Sequence, residues 1–500
     1  MPSLFDAFAL LYTTPIIPIA LLGLTWGVIG GALPGISASI TMALLLPLTY
    51  SLDPTSAIVL LASTYIGAEY GGSIPAILIR TPGTNSAAAT VVDGYEMTRQ
   101  GKAGEALGIS LWSGTVGGLF GLIMLVVLTE PLSRLALAFT PMSYFGLGIL
   151  GLTVIASMTA GSPLKGLAAA IIGMMVATVG TDPISGVTRL TFGSADLLSG
   201  IEPILVMVGL FAVSELMVQS GSTGAADMVV QSVRIRLPGL AMMKRLLRPQ
   251  AIGSGIGTIE GVIPGAGGTI AAFLSYNEAK RWSKHPEEFG KGSPEGVAAP
   301  ETANNTVAST ALIPLLSFGI PGSNSAAVLL GGFLLHGLVP GPNLFMENAA
   351  VIQGLYVGSF IATIGQLLVG FMIMPVCLWL VNRPRPYLAG FIMALVLSGV
   401  FSLNSSLFDL SVVLVAGLVG YAMRIFGFPF LPAVLGVVLC PLVESSYRRS
   451  LVLASGDHGI FVEDRICLGL LIVAALFLAF SMLREFRAVA KSSESRQGTP

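Results

Sequence analysis

Long stretches of this chain run for about 20 residues, the length that crosses a bilayer core, with hardly a charged side chain in them. They lie near 15–33, 108–128, 143–160, 164–180, 201–218, 349–381, 387–403, 409–424 and 466–483. Apolar and polar residues do not alternate along them, so they read as helices rather than barrel strands. A soluble chain carries about 25% charged residues. Here charged residues are 10% and hydrophobic ones 54%, with a mean hydropathy of +0.85. Most of the chain therefore belongs in hydrocarbon, where every backbone polar group must be satisfied inside the protein. The expected fold is an all-α polytopic membrane protein of roughly 10–14 membrane segments. The run 349–381 exceeds one crossing and reads as tilted or broken.

Several function classes fall away at once. A net charge of −1 offers nothing to nucleic acid. Cys377, Cys440 and Cys467 sit far apart in apolar runs and read as small buried side chains. His285, His336 and His458 are too scattered for a metal centre. No His-Glu-x-x-His, Gly-x-Ser-x-Gly or paired intramembrane aspartates support an intramembrane enzyme, and no Gly-x-x-x-x-Gly-Lys-[Ser/Thr] supports ATP hydrolysis. Met1 to Thr14 lacks a basic region and a cleavage pattern, so the stretch from Pro15 reads as a retained first span.

The chain repeats itself. Gly27-Val-Ile-Gly-Gly-Ala-Leu-Pro-Gly35 matches Gly257-Thr-Ile-Glu-Gly-Val-Ile-Pro-Gly265 at a shift of 230. Ile74-Pro75 and Pro82-Gly-Thr-Asn-Ser-Ala-Ala88 match Ile313-Pro314 and Pro321-Gly-Ser-Asn-Ser-Ala-Ala327 at a shift of 239. This divides the chain into a first half, 1–218, a basic connector, 219–250, a second half, 251–483, and a polar tail, 484–500. The connector carries Arg234, Arg236, Lys244, Arg245 and Arg248 and reads as cytoplasmic and interfacial; the tail reads as disordered and cytoplasmic. In the first copy the loop between the motifs, Tyr50 to Pro54, has no Lys or Arg, and the loop after them carries Arg99 and Lys102. In the second copy the inter-motif loop carries Lys280, Arg281, Lys284 and Lys291, and none follows from Val328 until Arg383. Under the positive-inside rule this reversal places equivalent loops on opposite sides, as in inverted-topology repeats with broken helices or re-entrant hairpins. Parallel repeats are the alternative.

Proline and glycine inside these segments free backbone amides and carbonyls from the helix ladder, and such groups must line a cavity or be buried in protein. The side chains after each break are hydroxyls and amides, able to donate to a carboxylate or to coordinate sodium. The candidate binding set is Pro34, Gly35, Ser37 and Ser39, then Pro82, Gly83, Thr84, Asn85 and Ser86 in the first copy. The second copy supplies Pro264, Gly265, Gly267, Gly268 and Thr269, the pair Asn304 and Asn305, and Pro321, Gly322, Ser323, Asn324 and Ser325. The bland alternative for any one of these small residues is close helix packing. Among ionisable groups beside apolar stretches, Glu69, Arg80, Glu260 and Glu301 stand out. Arg80 and Glu301 are the candidate charge partners, whereas Asp93, Arg99 and Lys102 read as a solvated loop. A sodium site near the same segments is a further expectation.

These motifs resemble the large membrane subunit of the tripartite tricarboxylate transporters. The resemblance rests on Gly27–Gly35, Tyr70-Gly-Gly-Ser-Ile74, Thr81-Pro-Gly83, Asp93-Gly-Tyr-Glu-Met97, Pro286-Glu-Glu-Phe-Gly-Lys-Gly292, Glu295-Gly-Val-Ala-Ala-Pro-Glu301, Ala303-Asn-Asn305, Gly319-Ile-Pro-Gly322 and His336-Gly-Leu-Val-Pro-Gly-Pro342. It implies a secondary transporter of the bacterial inner membrane, with no cofactor, driven by a Na+ or H+ gradient. It also implies two partners, a periplasmic solute-binding protein that delivers an organic acid and a small membrane subunit. An elevator-like movement is implied only by analogy. Asn85-Ser86 and Asn324-Ser325 depart from the proline, alanine or threonine combinations common among relatives. That leaves open which di- or tricarboxylate, or aromatic acid, is carried. The competing readings are a stand-alone carboxylate carrier and a channel.

Overall fold

A computed structural model describes residues 15–33, 36–158, 162–182, 184–220, 233–263, 267–381 and 385–497. Met1–Thr14, Pro34, Gly35, Pro264, Gly265 and the connector residues 221–232 lie outside that set. In chain order the first half contains α1 (Ile16–Gly31), α2 (Ala38–Leu45), α3 (Pro54–Gly71), α4 (Ser73–Ile79), α5 (Val91–Arg99), α6 (Ala103–Ala136), α7 (Pro141–Met158) and α8 (Pro163–Ala177). A small antiparallel hairpin follows, β1 (Gly180–Thr181) and β2 (Thr188–Arg189), then α9 (Pro203–Val208), a π-turn at 209–213 and α10 (Ser214–Ser220). The second half contains α11 (Leu240–Val262), α12 (Gly267–Trp282), α13 (Pro294–Thr310), α14 (Leu312–Phe318), α15 (Asn324–Leu335), α16 (Leu344–Glu347), α17 (Ala349–Val381) and α18 (Arg385–Asn404). Last come α19 (Leu407–Ile425), α20 (Phe430–Leu453), α21 (Ile460–Glu463) and α22 (Arg465–Gln497).

The chain is an all-α membrane protein. Five of these helices are long and apolar enough to cross a bilayer, and shorter apolar helices accompany them. The run 349–381 forms one helix, α17, with Pro375 inside it, rather than a broken span. The tail read as disordered is helical as far as Gln497, because α22 continues through it. Likewise α11 starts at Leu240, within the stretch read as connector.

The repeat is visible in the backbone. In the first copy Gly23, Gly27 and Gly31 lie one turn apart on α1 and press on α3; in the second, Gly253, Gly257 and Gly261 on α11 do the same to α13. A Cβ on Gly27 would lie 2.3 Å from the Thr64 carbonyl oxygen, and one on Gly257 would lie 2.6 Å from that of Ala303. Small residues at this spacing are what allow two membrane helices to touch backbone to backbone. Helices α3 and α13 begin alike, with Asp53 and Ser293 as N-caps bonded to Ser56 N and Gly296 N and a proline at the first helical position.

The second pair of breaks also matches. α4 ends at Arg80 and α14 at Gly319, both left-handed, with φ of 59° and 74°. The amide of the next residue then reaches back six positions, Thr81 N to Pro75 O and Ile320 N to Pro314 O, each 3.3 Å. Gly83 N bonds Gly72 O at 3.0 Å and Gly322 N bonds Ala311 O at 3.3 Å, folding each tip back against the junction of its two helices.

Two compact units emerge, and each takes segments from both halves. One comprises Met1–Arg134 and Phe211–Ser406, the other Leu135–Leu210 and Leu407–Pro500. All the described candidate residues belong to the first. Its core gathers Leu24, Val28, Ile66, Tyr70, Ile74 and Leu107 against α17. In the second unit α7 and α8 pack on α20, α7 also on α22, and α9 on α19. Asp182 fastens its hairpin to α20 through ion pairs to Arg189 at 2.8 Å and Arg448 at 2.9 Å.

Candidate functional site

Tyr65 and Glu69 stand one turn apart on the same face of α3. At a shift of 239 the partner of Tyr65 is Asn304, in the corresponding position on α13. Each of these side chains reaches the tip belonging to the other copy. The Tyr65 hydroxyl and Ser323 Oγ are 3.0 Å apart, and Ser323 also caps α15 by accepting Ala326 N at 3.1 Å. Asn304 lies in the first copy's tip, where a Cβ added to Gly268 would meet its Oδ1 at 2.7 Å and Ser86 Cβ at 3.3 Å. Each copy thus places one side chain against the tip of the other.

The first tip is closed by a short hydroxyl chain. Thr84 Oγ1 and Ser86 Oγ are 3.2 Å apart, and Ser86 donates to Glu69 Oε2 at 2.6 Å. Asn304 sits beside this carboxylate. It is 2% exposed, yet neither its Nδ2 nor its Oδ1 has a partner within hydrogen-bond distance. A buried carboxamide with only the Glu69 carboxylate beside it, and no hydrogen bond at ordinary distance, is costly in an apolar interior and leaves room for a further partner.

Glu301, one turn earlier on α13, has the opposite environment. Ser73 and Ser110 donate to its two oxygens at 2.6 and 2.8 Å, and Thr90 donates at 2.5 Å. The carboxyl is fully buried and joins α4, α6 and the start of α5 to the second copy. The Asn305 amide donates to the Glu301 carbonyl at 2.9 Å and leaves Oδ1 unpaired; it packs on Gly114 beside Gln366 of α17, whose amide atoms are also unpartnered.

The chain matches the model of the tripartite tricarboxylate transporter TctA family over residues 17–435. It belongs to this family. Two similar proteins of Agrobacterium vitis are described as uncharacterized proteins in the TAR-I and TAR-II ttuC' 3' regions. The first is 36% identical over 495 residues, 98% of each chain. The second is 36% identical over 235 residues, 46% of this chain and 96% of its own. No solved structure matches this TctA-family chain.

Of the TctA-family residues singled out from sequence, Thr84, Ser86, Gly268, Asn304, Ser323 and Glu301 are drawn into these two connected clusters. Ser325 is buried next to Tyr65, and Gly83, Pro321 and Gly322 are the buried backbone that sets the tips. Ser37 caps α2 and lies 2.9 Å from Ser39, while Gly267 and Thr269 form the partly buried start of α12. Asn85 is exposed, Asn324 and Pro82 partly so. Arg80 is exposed, over the Tyr95 ring at 5.9 Å, and is not in the cluster.

Asp93 is not a solvated loop residue. It is fully buried and accepts Gly290 N, Gly292 N and Ser293 N, each at 2.8 Å, and the Tyr276 hydroxyl at 2.9 Å. One carboxylate from the first copy thereby holds the charged loop of the second. Tyr65 and Gln366 escaped the sequence reading. Tyr65 could have been found by subtracting the repeat shift from Asn304, and Gln366 as an amide inside a long apolar run.

Proposed function

We propose that this chain is the translocation subunit of an ion-gradient-driven transporter that carries a tricarboxylate or related organic acid across the bacterial inner membrane. A periplasmic binding protein delivers the acid and a small membrane subunit completes the complex. Family membership supports the class. The observation that carries the assignment of a site is the buried Asn304 carboxamide, which has no hydrogen bond at ordinary distance and lies beside Glu69, Ser86 and Gly268. A carboxylate placed there accepts from the Asn304 Nδ2 and from tip hydroxyls. The amino terminus of α12, whose first amides have no partner within the helix, faces the same place with its partial positive charge. Tyr65 of the first copy and Ser323 of the second form the matching contact with the roles of the copies exchanged. An anion bound between two tips of one body is exposed to one side or the other by movement of that body, which is how a midplane site serves alternating access.

Uptake of radiolabelled citrate and succinate into cells expressing all three components tests the assignment. Asn304→Ala is expected to lower uptake at least tenfold with membrane levels unchanged, and omission of the binding protein to abolish uptake. Wild-type kinetics for Asn304→Ala would remove the site from this place. Full transport without the binding protein would favour a stand-alone carrier.

A further inference from the structure

We propose that Glu69 takes up the coupling proton, and that Ser86 converts its protonation into a hydrogen bond for the substrate. The inference rests on the carboxylate-transport reading above and adds which ion is used and where it binds.

The two buried carboxyls near the tips are not equivalent. Glu301 is sealed, with three hydroxyl donors and no exposure. Glu69 retains 8% exposure, with Ser86 bonded to Oε2 and the unpartnered Asn304 amide beside it. The titratable groups that face Glu69 are Tyr65 on its own helix and Glu301 on α13. No Lys, Arg or His occurs in α3 or in the helices packed against it, α1, α2, α4, α13, α15 and α17. The basic residues of α12, Lys280 and Arg281, are in its last turn, about 18 Å along the helix from Gly268. Among the described residues, the helices packed on α3 thus offer Glu69 no cation. The second copy has Ala308 at the matching position, so the device occurs once per chain.

An ionised Glu69 repels an incoming carboxylate across a poorly screened interior, so the two negative charges need a cation between them. A proton supplies it without further ligands. With Glu69 ionised, the Ser86 proton is committed to Oε2. When a proton from water binds Glu69, the new carboxyl O–H donates to Ser86 Oγ, and the Ser86 proton is freed to turn toward the substrate carboxylate. Asn304 supplies the second donor. Only O–H bonds form and break, one proton enters with the anion, and both leave together on the other side.

The direct test needs no substrate. Infrared difference spectra of the full-length protein in lipid, recorded along a pH titration, are expected to show one titrating protonated carboxyl band. It should vanish in Glu69→Gln, persist in Glu301→Gln, and shift in frequency in Ser86→Ala, which keeps the carboxyl but removes its partner. Survival of the band in Glu69→Gln, or an unshifted band in Ser86→Ala, overturns the assignment. In the three-component system, wild-type citrate uptake is expected to rise at least tenfold with an inward proton gradient, and Glu69→Gln to lose that response. Uptake driven by sodium and indifferent to the proton gradient also overturns it. Failure of wild type to carry either acid under any gradient would instead remove the transport reading, while the infrared band still decides whether Glu69 titrates.

Discussion

Replacing Asp93 breaks the contact by which the first copy holds the charged loop of the second. One oxygen of this side chain receives three backbone amides, and the other receives the Tyr276 hydroxyl. In Asp93→Ala the amide of exposed Gly290 can turn to water, and that of partly exposed Gly292 can do so in part. The Ser293 amide and the Tyr276 hydroxyl are buried and are left with unmet demand. At ~1–3 kcal/mol for each orphaned group, the local cost is about 4 kcal/mol. That corresponds to a roughly 1,000-fold rise in the opening equilibrium of the 286–293 loop. Asp93→Asn keeps an oxygen for the three amides and loses only the charge and the fit to Tyr276, so about 1–2 kcal/mol is expected. Hydrogen exchange of a peptide covering these residues, in lipid nanodiscs, reads the difference directly. Wild-type protection in the alanine variant, or equal loss in both variants, would refute the reasoning.

Other expectations follow from contacts already described. A Cβ on Gly83 would lie 1.9 Å from the Gly31 carbonyl oxygen, against 2.6 Å from the Gly261 oxygen for Gly322. Gly83→Ala should therefore cost more than Gly322→Ala, about 3 kcal/mol or above against ~1–2 kcal/mol, as thermal midpoints in detergent will show. Asn85→Ala should leave citrate uptake within about twofold of wild type, because the side chain is exposed, in contrast to the buried, unpaired amide of Asn304. In the hairpin of the other unit, donation from Ser185 and Arg448 holds the Asp182 carboxyl well below the ordinary carboxylate range. A depressed value stabilises the fold above the unfolded value of about 3.9 and loses that contribution as pH falls toward the folded one. Protection of the Thr181 amide should be flat from about pH 8 to 5 and fall only below about pH 4, whereas Asp182→Asn should weaken it throughout.

Residue type and spacing carried much of this into view from the sequence. Hydropathy alone sufficed for an all-α membrane fold, since lipid leaves few alternatives. The shifts of 230 and 239 marked both pairs of breaks, and at the second pair the same backbone bonds recur in the two copies. Direction was harder. Asn85, Asn304 and Asn324 look alike in a string of letters, but helix phase turns only Asn304 into the enclosed cluster. Asp93 read as loop because its partners lie 183 to 200 positions away, beyond any local signal. The run 349–381 read as tilted or broken because it exceeds one crossing, yet α17 continues through all of it and through Pro375, a tolerance that neighbouring helices give to proline in membranes.

The reciprocal reach of Tyr65 and Asn304 has a consequence for biosynthesis. The ribosome delivers the first copy before the second exists. Until α13 arrives, Ser73, Thr90 and Ser110 have no Glu301 to bind, Tyr65 has no Ser323, and Asp93 has no loop to hold. The inserted first copy is therefore a set of helices with unspent polar groups, and water or lipid headgroups must serve them meanwhile. Consolidation of this body must wait until residues 294–310 have been made, when one arriving helix, α13, meets waiting partners on α4 and α6 and at the start of α5.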